Sequence, residues 1–151
     1  MANRLLLSIF CALILTQCVL AQTPKDVAGT FHKKETRFID YIKDFKDFSN
    51  GGEWEPSNGL REIAAINQER AASGTAWLAM YDNLSCPQDR TSARTAIQRE
   101  FTYYMQGVNI DIEFVNKLTG TTEKPGVATE AIRMRDDLRE LQELFKSTKL
   151  P

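Results

Sequence analysis

The chain carries one histidine, His32, and three cysteines, Cys11, Cys18 and Cys86. So few nitrogen and sulfur groups bound the chemistry available to it. A structural zinc site needs three or four such ligands. A di-iron carboxylate centre in a helical bundle needs two Glu-x-x-His pairs, and here the one relevant spacing runs in reverse, as His32-x-x-Glu35. Covalent haem needs Cys-x-x-Cys-His, which is absent. Non-covalent haem between His32 and Met80, Met105 or Met134 is permitted by composition, but each methionine lies on or beside an apolar face and reads as core filler. The sequence has no Gly-x-Ser-x-Gly elbow, no phosphate-cradling glycine loop and no dinucleotide fingerprint. No cofactor and no metal are therefore expected. Cys86 and His32 form the only nucleophile–base couple that can be named, yet Cys86 precedes Pro87 in a turn. Any two of 20 acidic side chains could meet as a glycosidase-type pair, but no pair stands out. An enzyme is not the expected class.

The elements that would position these residues follow an apparent leader. Arg4 begins a short positive region, and Leu5 to Leu15 form an apolar run too short for the roughly 20 residues of a membrane span. Val19-Leu20-Ala21 suits a leader-peptidase site, so residues 1–21 read as a signal peptide and Gln22 as the new N-terminus. Leu15-Thr16-Gln17-Cys18 resembles a lipobox, but Gln17 stands where a small residue is normal, so soluble export, secreted or periplasmic, is preferred. Residues 22–151 suit one domain. Losing Arg4 leaves 18 basic against 20 acidic groups, a net charge of −2. Interspersed signs and a pI near 5.9 argue against a nucleic-acid partner. Cys86 then remains as a single thiol, expected to be buried rather than cross-linked.

Four amphipathic segments are legible, and they predict an all-α, up-down-up-down four-helix bundle. The first covers Pro24 to Phe48, with Val27, Phe31, Phe38, Tyr41, Ile42, Phe45 and Phe48 on three- and four-residue steps. Its lysines and aspartates, Lys34 among them, read as a solvated face. The second runs from Ser57 to Leu84, after a loop through Glu53-Trp54-Glu55-Pro56. Its middle, Ala71 to Thr75, is small and polar, so Gly74 predicts either a break or the close approach of a neighbouring helix. The third spans Gln88 to Leu118 and has two apolar stripes: Ile97, Phe101, Tyr104, Val108, Ile112 and Val115 on one, Tyr103, Gly107, Ile110 and Phe114 on the other. Val108 to Phe114 also alternates like a strand, but with no partner strand it reads as helix, with a deformation allowed at Gly107. The fourth runs from Val127 to Ser147.

Binding is the remaining use for such a chain. Trp54 is either an exposed anchor or a residue folded over the bundle end. Tyr103, Tyr104, Gly107, Ile110 and Phe114 line a pocket, form an interface, or pack a central helix. Arg90, Arg94 and Arg99 read as solvated surface. Asn83-Leu84-Ser85 matches the N-glycosylation pattern, which matters only in a eukaryotic secretory route. The expected function is that of a noncovalent protein-interaction or structural module, its partner another protein or a second copy. The alternative is a carrier of an apolar ligand or cofactor bound between the helices near Gly74, Tyr104 and Gly107.

Overall fold

A computed structural model describes residues 23–50 and 54–151. Four helices account for nearly all of them: α1 (Pro24–Asn50), α2 (Trp54–Asp82), α3 (Pro87–Thr119) and α4 (Pro125–Ser147). Three begin on the same device. Pro24, Pro87 and Pro125 each occupy the first helical position, where the missing N–H is no loss and φ is already set. At α1 the cap is completed by reciprocal bonds. The Thr23 hydroxyl accepts from the Asp26 N–H at 3.2 Å, and the Asp26 carboxylate accepts from the Thr23 N–H at 3.1 Å.

Cross-helix contacts set the topology. Thr75 reaches the Ala28 carbonyl and Gln68 reaches Glu35, so α1 and α2 are antiparallel. Asn67 bonds Asp111, and Gly59 lies against Leu118, so α2 and α3 are antiparallel. Gln142 bonds Asn109, and Lys34 bonds Asp137, which sets α4 beside both α3 and α1. The result is an all-α, up-down-up-down four-helix bundle. Its core joins Phe38, Phe45, Leu60, Leu78, Val108, Val115, Met134, Leu138 and Leu141 from all four helices. At one end Phe31, Phe101 and Phe145 make a three-ring cluster, with centroids 4.8–5.5 Å apart. Leu150 folds back into the core behind α4, and the Tyr81 hydroxyl donates to the Pro151 carbonyl.

Several expectations need correction. The second helix does not break at Gly74; it is continuous from Trp54 to Asp82. Gly74 instead admits the Phe31 ring, whose Cδ1 would stand 2.7 Å from a Cβ at that position. Buried Ala28, Ala64 and Ala71 accompany this close approach. Helix α2 also starts earlier than Ser57, because Trp54 already lies in its first turn. Helix α3 is helical through Val108 to Phe114, as read from the sequence, and passes through Gly107 without the deformation allowed there. Cys86 is exposed rather than buried. It is the residue before α3, in extended conformation, and its side chain makes no capping bond to the helix. The proposed leader, with Cys11 and Cys18, lies outside the described residues, as does the Trp54 side chain.

Candidate functional site

The second stripe of α3 is on the surface. Tyr103 is 70% exposed, Ile110 53% and Phe114 52%. Steps of four, three and four residues join Tyr103, Gly107, Ile110 and Phe114, so they form a line about 16 Å long on one helical face. The first stripe faces inward: Ile97, Phe101, Val108, Ile112 and Val115 are buried. Tyr104 belongs with it, packed half-buried with its ring 5.5 Å from that of Phe145. The aromatic cluster read from the sequence therefore divides, with Tyr104 inside and Tyr103 outside.

What holds the exposed line in place is a polar seam between α2 and α3. Asn67 is fully buried and Asp111 nearly so. The Asn67 amide donates to Asp111 at 2.7 Å and to the Ile63 carbonyl at 2.8 Å. Arg70 donates to the Asn67 carbonyl oxygen at 2.9 Å and forms an ion pair with Asp111. Each buried polar atom of the seam thus has a partner, the condition under which such a network stabilises rather than penalises a core. The Arg70 guanidinium lies over Gly107, and a methyl group at 107 would overlap it. Ile66, one helical turn before Arg70 and also exposed, extends the apolar surface onto α2.

A second polar network joins α1 to α4 on a face that reads as solvated in the sequence. Lys34 is only 13% exposed and pairs with Asp137 at 2.7 Å and with Glu140. The buried Tyr41 donates its hydroxyl to Asp137 at 2.5 Å, with Arg37 over its ring. Burial by itself would raise the Asp137 carboxyl, but hydrogen bonds from Lys34 and Tyr41 outweigh it and hold the group below the usual carboxylate range. Burial would likewise lower Lys34, and its two carboxylate partners instead keep it above an ordinary lysine. Burial, then the Asp137 contact, pushes the Tyr41 phenol far up. This is structural electrostatics: every member is already paired within the network.

The nameable chemistry is not assembled. His32 Nδ1 contacts Glu35 at 3.0 Å, Cys86 Sγ contacts the Gln88 side chain at 3.3 Å, and no hydrogen bond joins the two. Among the described residues no group of three or more His, Cys, Asp or Glu side chains could hold a metal ion. No helix among them is long and apolar enough to cross a membrane. Arg90 is committed to the end of α2, donating to the Leu84 carbonyl at 2.6 Å with its guanidinium 5.5 Å from the Tyr81 ring centroid. Of the glycines around which a ligand space was expected, Gly74 is covered by Phe31 and Gly107 by Arg70. Open volume is found in a cleft of about 340 Å³ between α3 and the end of α4, and in a more open depression of about 420 Å³ beside Pro87, Gln88, Thr91 and Ser92 at the start of α3.

The sequence pattern missed Asn67, Arg70 and Asp111. A signal for two of them exists: Asp111 is three residues after Val108 and four before Val115, and Asn67 is four after Ile63 and four before Ala71, so both fall in phase with buried positions. Compared with known proteins, the chain matches no protein-family model, no curated protein and no solved structure.

Proposed function

We propose that this is an exported helical bundle that works by noncovalent protein contact, with the outer face of α3 as its contact surface. The observation that supports this reading is the line of Tyr103, Ile110 and Phe114, three large apolar side chains each at least half exposed on one face. Isolated exposed apolar residues need no explanation, but three large ones on one helical face, crossed only by the Arg70 side chain at Gly107, make a candidate interaction site. Tyrosine and phenylalanine bring much contact area with few rotatable bonds.

The occupant to expect first is a second copy. The 4–3–4 spacing reads the same in both directions, so two α3 helices laid antiparallel set Tyr103 of each against Phe114 of the other. Ile110 then falls near the two-fold axis, an isologous arrangement. A large apolar side chain presents about 150–250 Å² when free, so the line offers roughly 300–400 Å². A stable dimer buries about 800 Å² per partner. Ile66 and the aliphatic stem of Arg70 must therefore add to the contact, and an interface this small favours a reversible association over a permanent one.

Sedimentation equilibrium of the purified protein tests this, alongside the Ile110→Lys/Phe114→Lys variant. The wild type is expected to show a concentration-dependent dimer, and the variant a monomer with an unchanged circular dichroism spectrum and melting temperature. A wild type that stays monomeric to millimolar concentration refutes the second copy as occupant. A variant that unfolds shows that the two residues are core.

A further inference from the structure

The cleft between α3 and the end of α4 lies on another side of α3 from the exposed line, and nothing in the reading above uses it. Its floor is Phe101 and Phe145, each 3% exposed, with the half-buried Met105 beside them. Its rim carries two ammonium groups, Lys146 and Lys149, and no carboxylate is among the residues that line it. Lys146 is shared with Glu143 at 3.1 Å, both side chains being about two-thirds exposed. Lys149 has no hydrogen bond or ion pair among the described residues. Nor does it sit on a loose strand. Thr148 before it bonds the Leu144 carbonyl through both its N–H and its hydroxyl, and Leu150 after it is buried. Those two anchors hold Lys149 at the mouth of an aromatic-floored cleft.

We propose that this cleft binds a small organic acid with an apolar body, its carboxylate at Lys149 and Lys146 and its body against Met105, the Thr102 methyl group and the uncovered edges of Phe101 and Phe145. A volume of about 340 Å³ is at the low end of the range for small-molecule sites, about 300–1,000 Å³, so the ligand is small. The α4 C-terminus opposes an anion with roughly half a unit of negative charge. The bonds from Thr148 to Leu144 take up part of that, and the full charge of Lys149 outweighs the rest.

The test is an amide NMR titration of the purified protein with 4-phenylbutyrate and, separately, with 4-phenylbutan-1-ol, its uncharged counterpart. The acid is expected to give saturable shifts centred on Thr102, Met105, Phe145 and Lys149, and to bind at least about tenfold more tightly than the alcohol. Lys146→Gln/Lys149→Gln, both at exposed positions, should bring the acid down to the level of the alcohol with no change in melting temperature. Thr102→Trp, filling the cleft from an exposed position, should abolish both. The Ile110→Lys/Phe114→Lys variant should bind the acid normally, which separates this site from the α3 contact surface. Equal binding of acid and alcohol overturns the anion assignment. No saturable shift at the cleft up to about 10 mM, or shifts centred elsewhere, overturns the site.

Discussion

Asp137 is the residue on which the α1–α4 seam most depends, and Asp137→Asn tests that. The substitution keeps the shape and removes the charge. Lys34, only 13% exposed, then keeps just Glu140, whose own side chain is 69% exposed. Tyr41 exchanges a charge-assisted bond for a neutral one. A hydrogen bond to a charged group contributes about 1.5–3 kcal/mol and a neutral one about 1. The ion pair adds less than a fully buried one, because Asp137 is still 19% exposed. Together these give a loss of about 2 kcal/mol at pH 7, or roughly 6–10 °C in Tm for a domain of this size. The pH dependence sharpens the test. Lys34 and Tyr41 hold the folded Asp137 carboxyl below an ordinary aspartate, whereas an unfolded aspartate titrates near 3.9. Below about pH 4 the unfolded chain therefore takes up this proton first, and the stabilisation is lost as pH falls through the folded value. Urea unfolding of wild type and variant from pH 7 to pH 2 should show the full difference above pH 5, shrinking steadily once the pH falls below about 4. Other carboxylates titrate in both proteins and cancel. Tyr41→Phe in each background should show a coupling of about 1 kcal/mol with Asp137. A difference under about 0.5 kcal/mol at pH 7, or one that stays constant down to pH 2, would refute the argument.

Two glycine-to-alanine substitutions should move stability in opposite directions. Gly29→Ala, with nothing within 4 Å of the new methyl group, should stabilise by about 0.5–1 kcal/mol from helix propensity. Gly74→Ala meets the buried Phe31 ring and should destabilise by about 1 kcal/mol net, overpacking exceeding the propensity gain. Equal shifts in urea midpoint would show that α1 and α2 are not held this closely. Asp111→Ala should cost about 2–3 kcal/mol by leaving Arg70 unpaired in the seam, while Arg70→Met/Asp111→Leu should recover most of that loss; urea titration of both variants decides it. Cys86 should react with 5,5′-dithiobis(2-nitrobenzoate) in the native protein about as fast as in guanidinium chloride. Protection beyond about tenfold would contradict its exposure at the start of α3.

The helices themselves were legible in the sequence, because burying one face of a helix demands three- and four-residue spacing, and that spacing is local. Val27 through Phe45, Ile97 through Val115 and Val127 through Phe145 declare their inward faces by position alone. The prolines at 24 and 87 mark two boundaries just as directly, since proline suits the first turn; Pro125 does the same for α4, although the loop-like composition around it placed the start at Val127. The outward line of Tyr103, Ile110 and Phe114 was visible as a second stripe, but periodicity does not say which of two apolar stripes the bundle encloses. That depended on where α2 and α4 settle against α3. The same limit explains Gly74, whose two local readings, break or close approach, were separated only by a ring arriving from α1. It explains Lys34 and Asp137 as well: each sits on a polar face of its own helix, and the faces lose water only when the helices meet. Asn67 and Asp111 are the reverse case, polar residues in apolar phase whose partners come from 41 to 44 positions away in the chain. Sequence alone determined the number and the amphipathic faces of the helices, because those follow from interactions within a few residues, while their ends shifted by two or three residues at Trp54 and Pro125. The tertiary structure decided which polar groups lose their water and which apolar groups keep it, because that depends on neighbours brought together only by folding.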